Sequence, residues 1–160
     1  MVDITRLRNV GEVWEVTWKF EDASFETLRT IAEEKHFKAG TQVFRQGDKP
    51  DGMYLVLEGS ALIVRKDMQG REHTVGIVST DQSFGEIGLV ADRPRAATVV
   101  AGTDLTVLKI SRYAVELLKE QAPDLGLMMY QALARTLAEQ LIYVQTHQNR
   151  VAGDDNTLEE

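Results

Sequence analysis

Phe84-Gly85-Glu86-Ile87-Gly88-Leu89-Val90-Ala91-Asp92-Arg93-Pro94-Arg95-Ala96-Ala97-Thr98-Val99 is the stretch from which the rest of this chain can be read. It opens on an acid after a glycine and closes on an arginine before two alanines. A turn of small residues can bring backbone N–H groups to an anion, and an arginine beside it can add a two-pronged, charge-assisted contact. Glu86 needs another partner, because a carboxylate repels the same anion, and a sugar hydroxyl is the natural one. Together these residues outline a pocket for one phosphate attached to one ribose. Taken singly they are ordinary: Glu86 could be a solvated turn residue, Arg95 could pair with Asp92, and the glycines could simply turn the chain. Arg95 resists that reading most. Ala96, Ala97, Thr98, Val99 and Val100 form an apolar run, and a guanidinium entering it needs either an internal carboxylate or a ligand phosphate.

On either side of this stretch the pattern is β-type, in short apolar runs broken by turn residues. Val43-Phe44 precedes Gly47-Asp48-Lys49-Pro50-Asp51-Gly52, a strong turn signal. Met53 to Leu57 and Ala61 to Val64 read as buried strands flanking Glu58-Gly59-Ser60, and Asp67-Met68-Gln69-Gly70 as a hairpin turn into His73 to Val78. Thr98 to Val100 and Leu105 to Ile110 add two more strands. Many short strands at close spacing predict an α+β, mainly β chain: an antiparallel β jelly-roll barrel with an N-terminal helical segment and C-terminal helices. The expected organisation is a helical segment over 1–37, a β-roll over 38–110, helices over 111–150 and a disordered acidic tail over 151–160.

The ordered pattern from Phe84-Gly85-Glu86 to Pro94-Arg95-Ala96-Ala97-Thr98-Val99 resembles the phosphate-binding cassette of cyclic nucleotide-binding domains. These serve kinase regulatory subunits, ion channels and the sensor half of bacterial transcription regulators. The Phe44-Arg45-Gln46-Gly47-Asp48 corner and the Tyr54-Leu55-Val56-Leu57-Glu58-Gly59 strand stand in the family's order. The resemblance implies that Arg95 clamps the exocyclic oxygens of a cyclic phosphate and that Glu86 accepts from the ribose 2′-hydroxyl. The amides of Gly85, Ala96 and Ala97 would complete the cradle, with Ile87 and Gly88 in the same turn. Members that favour cGMP often carry threonine after the cassette arginine; Ala96 stands there, so cAMP is the expected ligand, with cGMP second. Ile63, Val75 and Val78 would line the base pocket or be ordinary core. Gln140 falls on the late helix, where the resembling regulators place polar contacts to adenine. One departure precedes the cassette: Ser79-Thr80-Asp81-Gln82-Ser83 replaces a glycine-containing turn, which puts the local turn geometry in question.

The flanks read as helical. Ser24 is a candidate N-cap, followed by Phe25, Leu28, Ile31 and Ala32 at helical spacing up to His36. Tyr113 to Lys119 forms a short amphipathic helix, and Pro123 and Asp124 suit the first turn of a second. On it Leu133, Leu137, Leu141 and Val144 form one stripe, and Met129, Ala132, Thr136, Gln140 and Tyr143 a neighbouring face. One surface is expected to cover the barrel and the other to meet a second copy through the 123–145 helix; the alternative is one broad stripe in a monomer.

Composition narrows the remaining classes. The 160 residues carry a net charge of −7, which argues against a broad nucleic-acid surface, and no apolar run reaches membrane-spanning length. The N-terminus has no apolar signal core and the chain has no cysteine, which together predict a cytoplasmic protein. No nucleophile stands with a base in a recognisable motif, and His36, His73 and His147 are too scattered for a metal site, so no enzyme and no metal are expected. The resembling regulators continue into a helix-turn-helix where this sequence runs acidic. The expectation is therefore a stand-alone sensor with an unknown downstream protein partner. An excised sensor domain of a larger regulator or channel, or a scaffold without ligand, is the alternative.

Overall fold

The computed structural model describes residues 2–10 and 13–154, with side chains for 18–139 and 141–146. In chain order the strands are β1 (Val2–Val10), β2 (Val13–Phe20), β3 (Glu33–Phe37), β4 (Gln42–Phe44), β5 (Gly52–Glu58), β6 (Ala61–Lys66), β7 (Glu72–Val78), β8 (Ser83–Phe84), β9 (Thr98–Ala101) and β10 (Leu105–Ser111). The helices are α1 (Asp22–Ile31), α2 (Ile87–Val90), α3 (Arg112–Gln121) and α4 (Pro123–Asp154). β1 and β2 form an antiparallel hairpin. The other strands make two four-stranded antiparallel sheets, ordered β3-β10-β5-β8 and β4-β9-β6-β7. Among the described residues no helix is long and apolar enough to cross a membrane.

The β5 and β10 runs are almost continuously apolar because their sheet is the middle layer of three. Tyr54, Val56, Leu105 and Val107 face the second sheet and pack with Ala61, Ile63, Val78, Phe84 and Val99. The alternate residues Met53, Leu55, Leu108 and Ile110 face the helices and pack with Leu28, Val115, Leu118, Leu125, Met129 and Leu133. A strand buried on both faces loses the polar–apolar alternation of a half-solvated one.

Several expectations need correction. The 1–37 segment is mostly strand, and only α1 is helical. The run Val13-Trp14-Glu15-Val16-Thr17-Trp18-Lys19-Phe20 is rich in β-branched and aromatic residues, which suit a pleated surface. The helix read as far as His36 stops at Ala32, whose backbone is extended (φ −88°, ψ 160°), because Glu33–Phe37 is drawn into a ladder with β10. The jelly roll is two facing sheets and not a closed barrel. β8 is only two residues long, since Gly85 turns the chain out of the sheet into α2. Residues 151–154 of the expected tail end α4, and 155–160 lie outside the described residues.

The C-terminal helices match more closely. Ser111 caps α3 by accepting from the Ala114 N–H at 3.0 Å, and Pro123 opens α4. The stripe from Leu133 to Val144 does not share one environment, however: Leu133 is buried, whereas Leu137, Leu141 and Val144 are exposed. Residues four apart advance by about 40° around a helix of 3.6 residues per turn, so the stripe rotates off the core. Met129, Ala132 and Thr136 form the buried face with Leu125 and Leu133. The Gln140 side chain lies outside the described residues.

Candidate functional site

β8 lies beside β5, pairing Phe84 with Tyr54 and Ser83 with Leu55, and the chain then leaves the sheet at Gly85. Glu86 immediately precedes the one-turn helix α2, and a loop carries the chain to Arg95 and into β9. Between this excursion and the second sheet lies a cavity of about 140 Å³. Gly85, Glu86, Ile87, Ala96, Ala97 and Ile63 line it, with Phe44, Ser83, Phe84 and Val99. Six of the ten residues expected at the site therefore meet at one cavity. Gly88 and Val75 are not on its wall: Gly88 is buried behind the turn, and Val75 packs on the core between the sheets, as does Val78. Gln140 cannot be placed, for the reason given above.

Arg95 stands directly behind that wall and is 7% exposed. Its Nη1 donates to the Gly85 carbonyl at 3.1 Å, and its Nη2 to the Gly52 carbonyl at 2.9 Å and the Asp51 carboxylate at 3.3 Å. The guanidinium also lies 4.0 Å from the centre of the Phe44 ring. Phe44, Tyr54 and Phe84 form an aromatic layer, the last two stacked at 5.1 Å. The internal carboxylate is thus Asp51 and not Asp92, which lies 3.7 Å from Arg112. Burial pushes the Asp51 carboxyl up, but Lys109 and Arg95 outweigh it and hold the group below its ordinary value.

Both cassette glycines are there because of this arginine. A Cβ on Gly85, whose φ is +75°, would come within 2.7 Å of Arg95 Nη1. One on Gly88 would meet the Gly52 carbonyl at 2.7 Å and the same nitrogen at 2.8 Å. The glycine-free turn before the cassette keeps its geometry in another way. Asp81 itself takes φ +65°, a conformation that aspartate tolerates better than most residues, and its carbonyl accepts from the Trp18 N–H at 2.8 Å.

Glu86 is half-buried at the cavity and accepts at Oε1 from the Ser83 hydroxyl at 2.5 Å. Desolvation pushes its carboxyl up from the ordinary value, against the pull of Ser83, its own N–H and Arg95. The excursion is also tied to the C-terminal helices. Arg112, the first residue of α3, donates from Nε to the Gly88 carbonyl at 2.7 Å and from Nη2 to the Ala91 carbonyl at 2.9 Å. Asp51, Gly52, Ser83, Trp18 and Arg112 were not singled out from the sequence. Asp51 and Gly52 sat inside a turn signal, and nothing local marked the other three as partners of residues far along the chain.

The family model for the cyclic nucleotide-binding domain matches residues 34–121, more than half of the chain. The chain belongs to the cyclic nucleotide-binding domain family. Among solved structures, the N-terminal domain of a transcriptional regulator from Streptomyces coelicolor A3(2) shares 27% identity. The match covers 78% of this chain and 86% of that one, with a TM-score of 0.66. The catabolite activator protein of Thermus thermophilus shares 24% over 83% of this chain and 61% of its own, at TM-score 0.73. A c-di-GMP-responsive global regulator of Xanthomonas campestris shares 23% over 87% and 66%, at TM-score 0.66. The last two show the fold, and the chain spans about three fifths of the activator's length. This cyclic nucleotide-binding domain keeps its cassette glycines, Glu86 and Arg95 in one structural unit.

The raised Glu86 carboxyl has a measurable consequence. A carboxyl whose folded value lies above its unfolded one costs stability as pH rises through that interval, and the cost is complete above it. Glu86→Gln is therefore expected to raise the melting temperature of the ligand-free domain at pH 7, with the gain shrinking as the pH falls toward the ordinary glutamate value of 4.5 and gone below it. Thermal unfolding across that range checks this; a lower melting temperature at pH 7 would mean that the charge is stabilising.

Proposed function

We propose that the domain binds a cyclic nucleotide, cAMP in preference to cGMP, and passes binding on through its C-terminal helices as a regulatory sensor with no catalytic step. The observation that carries this is the cavity with Glu86 on its wall and a buried arginine directly behind Gly85. The cyclic phosphate would lie against Gly85 and the amides of Ala96 and Ala97. Arg95 would give up its longest contact, the 3.3 Å one to Asp51, for a phosphate oxygen. Asp51 is half-exposed and also paired with Lys109, so the exchange strands no charge. The Glu86 carboxylate would take the ribose 2′-hydroxyl, and Ile63, Val99 and Phe44 offer an apolar wall to the base. Ala96 has no hydroxyl for a guanine amino group, which supports adenine.

Transmission has a physical route. Arg112 holds the Gly88 and Ala91 carbonyls of the α2 turn, so a cassette drawn in by ligand pulls on the start of α3. The helices move only if the ligand favours one arrangement over the other. The receiving partner is unknown.

A second copy of this chain is the proposed partner of α4. Leu127, Tyr130, Ala134, Leu137, Leu141 and Val144 alternate at three- and four-residue steps, the spacing of a coiled-coil seam. Leu127 and Leu141 are 60% and 59% exposed.

Calorimetric titration with cAMP and cGMP tests the ligand. Arg95→Ala is expected to weaken binding about tenfold to a hundredfold or more. Arg95→Lys keeps the charge but loses the fork, and should fall between. Unchanged affinity in both variants removes Arg95 from the site. Amide exchange over 123–145 should slow with saturating ligand, and equal exchange with and without it refutes the relay. Light scattering should give a dimer that Leu141→Glu converts to a monomer; a wild-type monomer overturns the pairing.

A further inference from the structure

Glu86 is not oriented by the cassette alone. Its carboxylate ends a hydrogen-bond chain that starts on β2, outside the segment matched to the family. The Trp18 indole Nε1–H donates to Ser83 Oγ at 2.7 Å, and the Ser83 hydroxyl donates to Glu86 Oε1 at 2.5 Å. Trp18 and Ser83 are each 2% exposed, so neither has bulk water as a substitute partner. The direction of the chain is fixed by its first member. An indole N–H can only donate, so Ser83 must accept from it, and the one hydroxyl proton of Ser83 is left for Glu86. The chain holds Oε1 and makes no contact with Oε2. Trp18 is itself anchored twice, since its backbone N–H donates to the Asp81 carbonyl at 2.8 Å in the turn that leads to Ser83. Its ring is stacked on Phe20 at 6.0 Å and packs into the core beneath the helices.

We propose that Trp18 and Ser83 are positioning residues that aim the Glu86 carboxylate at the ligand's 2′-hydroxyl, so that the N-terminal hairpin sets the preference for ribose over deoxyribose. This rests on the reading of the cavity as a cyclic-nucleotide site with Glu86 at the sugar. A free glutamate has three rotatable side-chain bonds, and most of its rotamers turn the carboxylate away from any one hydroxyl. The chain removes that freedom at one oxygen without using the other. Ser83 lines the cavity beside Glu86, whereas Trp18 is not among the lining residues and acts only through Ser83.

The test compares the dissociation constants of cAMP and 2′-deoxy-cAMP for the full chain as wild type, Glu86→Ala, Ser83→Ala and Trp18→Phe. Wild type should prefer the ribo ligand, and Glu86→Ala should bring the ratio to about one. Ser83→Ala and Trp18→Phe should each lower the ratio about three- to tenfold, the worth of one hydrogen bond, and leave the affinity for the deoxy ligand within about twofold. A wild-type ratio in both variants, or equal loss of both ligands, overturns the positioning role, because a purely structural defect does not distinguish the two sugars. If Trp18→Phe fails to fold, Ser83→Ala decides, since it deletes a single atom. A wild type that binds both ligands equally, or neither, overturns the sugar-site reading of Glu86 and the positioning role with it. That result is distinct from intact discrimination in the variants, which overturns the positioning role alone.

Discussion

The guanidinium of Arg95 is enclosed by this fold before any ligand is considered, and a buried cation is tolerated only when its donors and its charge are both met. The carbonyls of Gly85 and Gly52 take two of its N–H groups, the Asp51 carboxylate takes a third and supplies the charge, and the Phe44 ring covers one face. Much of the local architecture follows from that need. The chain must leave the sheet at Gly85 and pass Gly88 without side chains, since a Cβ at either position would strike the guanidinium. β8 ends where Gly85 turns the chain out of the sheet.

The same knot links three separate parts of the molecule. Asp51 lies at the start of β5, and its backbone carbonyl accepts from the N–H of Arg112, where α3 begins. The Arg112 side chain reaches back to the cassette carbonyls of Gly88 and Ala91. A cluster of a few residues thus joins the middle sheet, the α2 turn and the first C-terminal helix. On the opposite side of Glu86, Ser83 and Trp18 connect the cassette to the N-terminal hairpin. The cavity is small, yet both the β1–β2 hairpin and the start of α3 are hydrogen-bonded to its surroundings.

The strands and the cassette were legible in the sequence because their signals are local. Turn residues bracket β5, β6 and β7, and apolar runs mark β5 and β10 to within a residue or two of their observed ends. Gly85, Glu86, Arg95, Ala96 and Ala97 were legible through spacing and kind. The Glu33–Phe37 strand was not, since its charged, helix-tolerant residues become a strand only by pairing with β10 some seventy positions later. The hairpin of β1 and β2 was missed although its second half carries β-branched and aromatic residues. The α4 stripe was read as one face because four-residue spacing looks constant in sequence and drifts in space.

The sequence by itself determined the family, the strand-and-turn order of the roll and the two side chains, Glu86 and Arg95, on which the site reading turns. Those are properties of residue type and short-range spacing, set before the chain folds. Only the tertiary structure decided the partners, Asp51 and not Asp92 for Arg95, Ser83 and through it Trp18 for Glu86, and Arg112 for the cassette turn, and which residues of α4 stay exposed. Each of these joins residues that chain order does not associate, at distances fixed by which faces must be buried together. Hydrogen-bond direction and charge compensation act over about three ångströms, whatever the separation in sequence.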